Sequence, residues 1–212
     1  MYLSCFRLQQ NAPSVRQCLR DMHDMHRSVM GMFPDVGGGS ARVALGVLFR
    51  LYRMEKELRL YVQSTDKPDA SVLRPGFEMV DQPKELDSLA SVLAAGQTYL
   101  FDLLASPTKK KESDGKNSKR VFLTSSLDRL DWLKRKGADA GFSLEWAREE
   151  GQETALAGAS DSKTRITCVG VHFRGVLKVA DERAFRDAWA EGIGPGKAYG
   201  MGMLLLSHSG DA

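Results

Sequence analysis

Apolar and polar residues recur at regular spacings along the first part of this chain. Residues 3–8 alternate as a half-buried β-strand requires, so we predict a strand there. From Val15 to Met30 the apolar residues recur at helical spacing and lie within about 80° of one side of a helical wheel. Pro13 opens this segment and Gly31 follows it, which predicts one continuous helix.

The remainder of the first half is predicted to consist mainly of strands. A flexible connector at 37–40 precedes two strands, at 42–54 and 58–64, which a tight turn joins as a hairpin. Weaker signals indicate a short helix at 69–73 and a strand at 77–81. The elements follow one another in the order strand, helix, strand, strand, helix, strand.

The second half of the chain repeats this order more clearly. A helix is predicted around Phe185, and the other elements are strands at 98–105, 142–147, 165–179 and 201–207 and a helix at 126–136. The succession β-α-β-β-α-β is the split βαβ, or ferredoxin-like, unit. The sequence therefore predicts an α+β fold of two tandem ferredoxin-like (βαββαβ, RRM-like) domains, at residues 1–95 and 96–212, with a cleft between them.

Composition indicates a folded protein of a reducing compartment. The chain has 212 residues, of which 42% are hydrophobic, and a formal net charge of +3, which excludes an intrinsically disordered chain. No apolar stretch reaches the ~18 residues that span a bilayer, and the N-terminus lacks the pattern of a signal peptide. The three cysteines lack the paired spacing of a disulfide framework or a zinc site. We therefore expect a cytoplasmic protein that does not associate with a membrane.

Basic charge is concentrated in residues 109–120, with the sequence KKKESDGKNSKR. Six basic residues accompany two acidic ones there, and no hydrophobic residue interrupts them. A charge run is usually a solvated loop, but a flexible basic loop also attracts a phosphate backbone. Stacking of RNA bases on a sheet is not predicted, because the aromatic motif of RNA-recognition domains is absent.

The segment 192–202, GIGPGKAYGMG, is the most distinctive string in the sequence. A Rossmann fingerprint is excluded because a helix precedes the segment and a strand follows it. A Walker A loop is excluded because the spacing is one residue short and Ala198 follows Lys197. The glycines would suit a tight connection between helix and strand. Five glycines with a lysine among them favour instead a backbone surface that a bulky anionic partner approaches closely.

Two histidines, His23 and His26, lie one helical turn apart on the same side of the first predicted helix. A zinc site is not predicted, since zinc needs three or four ligands and neither His172 nor His208 has a partner at a ligand spacing. Histidine suits proton transfer near neutral pH because its unperturbed pKa is about 6.5. On the helical wheel, however, His26 lies within the apolar stripe, where a histidine is more often a core residue whose hydrogen bonds are made within the protein.

Four parts of the chain, in this order, resemble the CasE family of CRISPR-associated endoribonucleases, the type I-E members of the Cas-six group in the RAMP superfamily. They are the N-terminal MYLS, the helix with His26-Arg27, the strand ending in Ser106-Pro107, and the ending GIGPGKAYGMGMLLLS. The resemblance implies two ferredoxin-like domains, in agreement with the internal repeat. It also implies a metal-independent nuclease that cuts the CRISPR repeat transcript at the base of its hairpin. Such a nuclease keeps the product as a subunit of the type I-E surveillance complex.

The resemblance also implies roles for particular residues. The family's catalytic histidine lies in an M-H-R context, which is His26 here, and His23 stands where some relatives have a tyrosine, in a supporting role. One group would take the proton of a 2′-OH and another would protonate the departing 5′-oxygen, leaving 2′,3′-cyclic phosphate and 5′-OH ends. Which histidine is the acid and which is the base is left open. No metal and no other cofactor is expected. The residues expected to bind RNA are Lys109, Lys110, Lys111, Lys116, Lys119, Arg120, Lys163, Arg165, Gly194, Gly196 and Lys197.

The chain departs from the family pattern at positions expected to bind RNA. Asp102 and Leu104 stand where the family often has arginines, and Arg174 replaces a common acidic residue. Two alternatives to the nuclease stay open. One is a non-catalytic RNA-binding subunit of a ribonucleoprotein, in which the basic run and the glycine-rich segment hold an RNA that nothing cuts. The other is a structural protein whose basic run is merely solvated.

Overall fold

Two antiparallel sheets, one from each half of the chain, organise the structure. It is a computed structural model and describes residues 1–36, 41–55, 57–110, 120–158 and 166–208. Each sheet has its own buried apolar cluster, and helices pack against both. None of the described helices is long and apolar enough to cross a membrane.

The first sheet is built around the N-terminal strand. Its strands are β1 (Tyr2–Leu8), β2 (Leu48–Arg53), β3 (Leu58–Ser64), β4 (Phe77–Met79) and β5 (Lys84–Glu85). Their order in the sheet is β2-β3-β1-β4, and β5 also pairs with β1. The helices of this half are α1 (Pro13–Arg20), α2 (Met22–Met30), α3 (Ala41–Ala44) and a 3-10 helix at Ala70–Val72. Phe6 and Leu60 of the sheet pack with Val15 of α1 and with Met25 and Val29 of α2, all fully buried. This packing fixes α2 against the sheet.

The second sheet consists of β6 (Thr98–Ala105), β9 (Phe142–Ala157), β10 (Ile166–Val179) and β11 (Leu204–His208), in the order β11-β6-β10-β9. A separate hairpin is formed by β7 (Thr108–Lys110) and β8 (Arg120–Phe122). The helices are α4 (Asp87–Val92), α5 (Ser126–Asp139), α6 (Glu182–Glu191) and a 3-10 helix at Lys197–Tyr199. The buried side chains of Leu133, Phe173 and Phe185 join α5, the sheet and α6 in one core.

The two sheets share one strand order. In each, the first strand lies between the last and the third, and the second lies at an edge, which is the arrangement of a ferredoxin-like unit. The predicted fold class is therefore confirmed. The division at residues 95 and 96 stays a prediction, and it falls between α4 and β6.

Two predicted elements were wrong in ways that affect the site. The single helix predicted to run to Met30 is broken at Asp21, whose extended backbone (φ −136°, ψ 111°) ends α1 and begins α2. The strand predicted at 42–54 begins only at Leu48. Before it the chain forms α3, which Gly46 (φ 56°) follows in a conformation that favours glycine. The apolar pattern that suggested a strand is thus shared between a helical turn and a strand.

The two halves contact each other along β2 and the glycine-rich segment 192–202. Gln63 of β3 donates from Nε2 to the carbonyl oxygen of Trp189 at the end of α6, at 3.0 Å. A Cβ added at Gly192 would lie 2.9 Å from the Leu48 side chain, and one at Gly200 would lie 3.1 Å from the Phe49 ring. This close approach brings the segment 192–202 next to the first half of the chain.

Candidate functional site

The break at Asp21 determines where the two histidines lie. The Asp21 carboxylate caps α2, since its Oδ1 accepts a hydrogen bond from the backbone N–H of His23 at 2.8 Å. The same oxygen accepts from the backbone N–H of Gly158, after β9, at 3.2 Å. The first turn of α2, with His23, is therefore held against the second half of the chain.

His23 contacts the 3-10 helix of the glycine-rich segment directly. Its Nε2 lies 3.1 Å from the hydroxyl oxygen of Tyr199, and the two rings are nearly parallel, with an interplanar angle of 13° and centroids 5.6 Å apart. Burial raises the pKa of Tyr199, and nearby Cys168 and Asp21 raise it further. The phenol is therefore protonated near neutral pH. One histidine of the predicted pair thus meets a residue from the other half of the chain.

His26 is half-buried rather than enclosed in the core. Its Nδ1 is buried and has no hydrogen-bond partner among the described residues. Burial lowers the pKa of His26 below the usual histidine value, and the charges of Arg42 and His23 lower it further. The imidazole is therefore held in its neutral form, which can accept a proton.

Arg42 lies near His26, and Lys197 lies near Arg42. Arg42 belongs to α3, and its Nη1 donates to the carbonyl oxygen of Val47 at 3.2 Å. Burial lowers the pKa of Lys197, the charge of Arg42 lowers it further, and Glu191 acts in the opposite direction. Positive charge is thus concentrated around His26, an environment suited to an anion.

Arg42 is the member of this group that the sequence analysis missed. It was assigned to a strand, where its side chain had no distinctive role. The structure places it in α3, where burial lowers its pKa. The one local signal was a basic residue two positions after the connector at 37–40.

The glycines of the segment 192–202 are accounted for by backbone conformation and by packing inside the protein. Gly194 and Gly196 have φ angles of 80° and 85°, which L residues with side chains rarely adopt. A Cβ at Gly194 would lie 2.9 Å from the Trp132 ring, and one at Gly196 would lie 3.0 Å from the sulfur of Met201. These contacts fit the tight connection between helix and strand. The expectation that both glycines contact RNA stays a prediction.

A basic groove of about 710 Å³ lies between the β7–β8 hairpin, α5 and the segment 192–202. Lys109, Lys110 and Arg120, which the sequence analysis expected to bind RNA, line it together with Gly194. The structure adds two basic residues of α5 and an aromatic ring to this lining: Arg135, Lys136 and Trp132. Both basic residues fall in the helix predicted at 126–136, whose pattern gave no link to the hairpin. The other predicted RNA-binding residues, Lys111, Lys116, Lys119, Lys163 and Arg165, lie outside the described residues.

The departures at Asp102 and Arg174 form a separate polar cluster on the second sheet. Asp102 accepts hydrogen bonds from Nε2 of His172 at 2.8 Å and from Nε of Arg174 at 2.9 Å. Burial alone would raise the pKa of Asp102, but these two hydrogen bonds outweigh it and hold the pKa at about 2. Arg174 also pairs with Glu150 at 3.2 Å. Arg174 therefore neutralises Asp102 across the strands, and His172 adds a hydrogen bond.

The described part of the chain contains no group of three or more His, Cys, Asp or Glu side chains placed to hold a metal ion. The two histidines of α2 instead have Tyr199, Arg42 and Lys197 around them. The chemistry available from these side chains is proton transfer by imidazole and stabilisation of negative charge by cations.

Comparison with known proteins gives consistent relatives over the whole length. The CRISPR-associated endoribonuclease Cse3 of Thermus thermophilus is 29% identical and covers 98% of this chain and 100% of its own, and the Cascade subunit CasE of Escherichia coli is 27% identical, covering 89% and 92%. A solved structure of Cse3 bound to a 19-nucleotide RNA superimposes with a TM-score of 0.83 at 26% identity, covering 98% and 100%. A chain of an RNA-guided surveillance complex superimposes with a TM-score of 0.75 at 27% identity, with the same coverage.

The family comparison agrees with these relatives. Residues 1–208 match the family described as CRISPR associated protein, which is nearly the whole of the 212-residue chain. The resemblance to CasE inferred from the sequence is confirmed by the two curated relatives and by the shared fold. The chain belongs to the family of CRISPR associated proteins, in its type I-E CasE branch.

Proposed function

We propose that the protein is an endoribonuclease that cleaves CRISPR repeat RNA at the base of the repeat hairpin. The relatives named as endoribonuclease and as Cascade subunit support the activity class. The observation that carries the proposal is that His23 contacts Tyr199 where the two halves meet, that Arg42 acts on His26, and that Lys197 lies near Arg42. This group can supply a base, an acid and positive charge without a metal ion.

In the proposed reaction, neutral His26 takes the proton of the 2′-OH upstream of the cut. The 2′-oxygen then attacks the adjacent phosphorus atom, and the bond to the 5′-oxygen breaks. His26 suits the role of base because its lowered pKa keeps it unprotonated near neutral pH. Its Nδ1 is buried, which leaves Nε2 as the nitrogen to meet the ribose. The products carry 2′,3′-cyclic phosphate and 5′-OH ends.

Arg42 and Lys197 are proposed to stabilise the pentacoordinate phosphorane. Negative charge builds on its oxygens in the transition state, and fixed cations in a partly buried site act on it strongly. Both cations are half-buried, and burial lowers the pKa of each. Holding these cations in a half-buried site costs free energy, and an anion that enters the site lowers this cost.

The basic groove is proposed to hold the stem of the RNA hairpin. A-form RNA presents phosphates and 2′-hydroxyl groups, and its deep, narrow major groove does not admit side chains. Lys109, Lys110, Arg120, Arg135 and Lys136 face one groove next to Gly194. Gly194 lines the groove and precedes Lys197 in the same short segment. The lower end of a stem held in the groove would therefore lie toward the histidines.

The test is cleavage of the organism's own repeat RNA in the presence of EDTA. We expect the wild-type protein to cut once, at the base of the hairpin. His26→Ala should lose roughly 10²–10⁴ in single-turnover rate, the usual effect of removing one general acid or base. The wild-type protein and His26→Ala should bind an RNA with deoxyribose before the cut with the same affinity. A requirement for added metal ions, or a near-normal rate for His26→Ala, would contradict the proposed chemistry.

A non-catalytic RNA-binding subunit is the second candidate. The basic groove favours it, because that surface explains RNA binding without any contribution from the histidines. Binding of the repeat RNA without cleavage by the wild-type protein would support this candidate. Neither binding nor cleavage would indicate a structural protein with a solvated basic hairpin.

A further inference from the structure

We infer that Tyr199 is a positioning residue, whose hydroxyl determines which ring nitrogen of His23 carries a proton toward the RNA. Tyr199 ends the 3-10 helix Lys197–Tyr199 of the second half, whereas His23 lies in the first turn of α2. The inference rests on the proposed function, because it concerns the part that His23 takes in cleavage. It gives the two halves of the chain a joint role in one proton-transfer group.

His23 is held at two points. Its backbone N–H is fixed by the Asp21 carboxylate at 2.8 Å, and its Nε2 lies 3.1 Å from the hydroxyl oxygen of Tyr199. The near-parallel rings, at 13°, also restrict rotation of the imidazole. Among the described residues, the hydrogen bond to Tyr199 is the one that the His23 ring makes. The nitrogen left for a ligand is therefore Nδ1.

The phenol can bond to Nε2 in both protonation states of the imidazole. A phenolic hydroxyl can donate and accept but is the stronger donor, so Tyr199 donates to Nε2 when His23 is neutral and accepts from the Nε2–H when His23 is protonated. In the first case the single ring proton is on Nδ1, and in the second both nitrogens carry one. Before reaction, Nδ1 is thus a donor in either state.

A permanent donor at Nδ1 suits the acid of the reaction rather than the base. Protonated His23 gives its Nδ1 proton to the 5′-oxygen as the phosphorus–oxygen bond breaks and its electron pair moves to that oxygen. At that moment the remaining ring proton is on Nε2, with the Tyr199 oxygen as its acceptor, and the resting tautomer returns when Nδ1 takes a proton from solvent and Nε2 loses its own. His26, which has taken the 2′-OH proton, supplies the complementary step. The tyrosine touches no RNA atom in this scheme and acts through His23.

The first test measures the tautomer directly and does not depend on activity. Nitrogen-15 NMR of the histidine rings of the free protein, at a pH where His23 is neutral, should show His23 with its proton on Nδ1. The His23 signal is identified by its disappearance in His23→Ala. In Tyr199→Phe, which keeps the ring and removes the hydroxyl, the proton should move to Nε2, the position favoured in free imidazole side chains. An identical tautomer in the two proteins would overturn the inference.

The second test is a double-mutant cycle on single-turnover cleavage. Tyr199→Phe should reduce the rate about fivefold, the size expected from the net contribution of one hydrogen bond, and leave the affinity for uncleavable RNA unchanged. It should have no further effect in a His23→Ala background, because the hydroxyl acts through that ring. Tyr2→Phe, which removes a hydroxyl far along β1, is the matched control and should cleave at the wild-type rate.

The two proposals fail in different ways. If the wild-type protein does not cleave repeat RNA, the proposed function fails while the tautomer measurement still decides the role of Tyr199. If the wild-type protein cleaves but Tyr199→Phe retains the full rate, the positioning role is overturned and the nuclease stands. An equal reduction in rate from Tyr199→Phe with and without His23 would also overturn it, since the phenol would then act elsewhere.

Discussion

The charged groups that act on His26 are both basic, namely Arg42 and His23. Together with burial they lower the pKa of His26, so the imidazole loses its proton at a lower pH than an exposed histidine would. A base is active only when unprotonated, and therefore the cleavage rate should rise as pH increases through this lowered pKa. In the proposed reaction, these residue-scale effects make His26 available as the base over a wider pH range.

We expect Arg42→Ala to move the acidic limb of the pH–rate profile to higher pH. Removing this charge lets the pKa of His26 rise toward its ordinary value, so a higher pH is needed to free the base. The measurement is single-turnover cleavage across the acidic range. His23 also acts on His26, and Lys197 is itself affected by Arg42, so both are kept unchanged. Arg16→Ala, on the exposed side of α1, is the matched control. A limb that stays in place or moves to lower pH would contradict this explanation.

At the scale of elements, the β7–β8 hairpin and α5 act as one basic surface. Their lysines and arginines are far apart in sequence, from Lys109 to Lys136, yet they line a single groove. The pairing of Lys110 with Arg120 across the hairpin concentrates charge at the point where the chain leaves the described strands. Such a surface should bind phosphates with little dependence on sequence.

The double substitution Lys109→Ala with Lys110→Ala should weaken RNA binding and reduce its salt dependence. For each phosphate that the variant no longer neutralises, the slope of log affinity against log salt concentration should fall by roughly 0.7–0.9. Binding titrations of an uncleavable repeat RNA at several salt concentrations measure this slope. Lys84→Ala, an exposed lysine of β5 in the first half, should leave it unchanged. An unaltered slope in the double variant would mean that the hairpin does not touch RNA.

The glycine-rich segment 192–202 is predicted to be required for the stability of the fold as well as for its own place next to the first half of the chain. Gly194→Ala should lower the free energy of unfolding by about 1–2 kcal/mol for the left-handed backbone alone. The contact with Trp132 should add to this destabilisation. Gly96→Ala is the matched control, because Gly96 has a similar φ of 87° but open space around it. Thermal or urea unfolding of the two variants separates the cost of conformation from that of packing, and equal destabilisation would exclude a packing contribution.

The elements themselves were predicted well where their pattern was regular. The strand predicted at 98–105 matches β6, and the helix at 126–136 falls within α5, because the residue pattern of each segment is uninterrupted. The helix break at Asp21 was not predicted, since the apolar stripe continues through it in sequence. An aspartate able to cap the next helix was the available signal, and periodicity alone does not register it.

At the scale of the whole molecule, the site exists only because the two halves meet. Asp21 and His23 come from the first half and Gly158 and Tyr199 from the second, and both contacts are hydrogen bonds across that junction. Substrate bound there would contact both halves of the chain. A product held by contacts from two halves should leave slowly.

We therefore expect cleavage to stop after one turnover. With repeat RNA in large excess, product should accumulate to one equivalent per protein and then stall, and the product should remain bound during gel filtration. Slow release follows from the combined grip of the basic groove and the site at the junction. If the stall came instead from denaturation of the protein, the product would be released. Product that stays bound therefore distinguishes retention from inactivation. Continuous multiple turnover would contradict retention as a subunit of a larger complex.

Several features of this protein follow from its sequence alone. The periodic apolar positions determine the two βαββαβ units, and the motif residues around His26 and in 192–202 indicate the family. The approximate position of the basic hairpin follows from its charge. These features are local, because they depend on residues close together in the chain.

The tertiary structure decided what the sequence left open. It placed Arg42 near His26 and Lys197 near Arg42, brought Arg135 and Lys136 to the hairpin, and set Tyr199 against His23. It also showed that Gly194 and Gly196 pack tightly within the protein. The physical reason is that pKa values, charge clusters and hydrogen bonds depend on distances in space. The distances around the histidines arise only where the two halves of the chain pack against each other, and the basic groove arises from the folding of the second half.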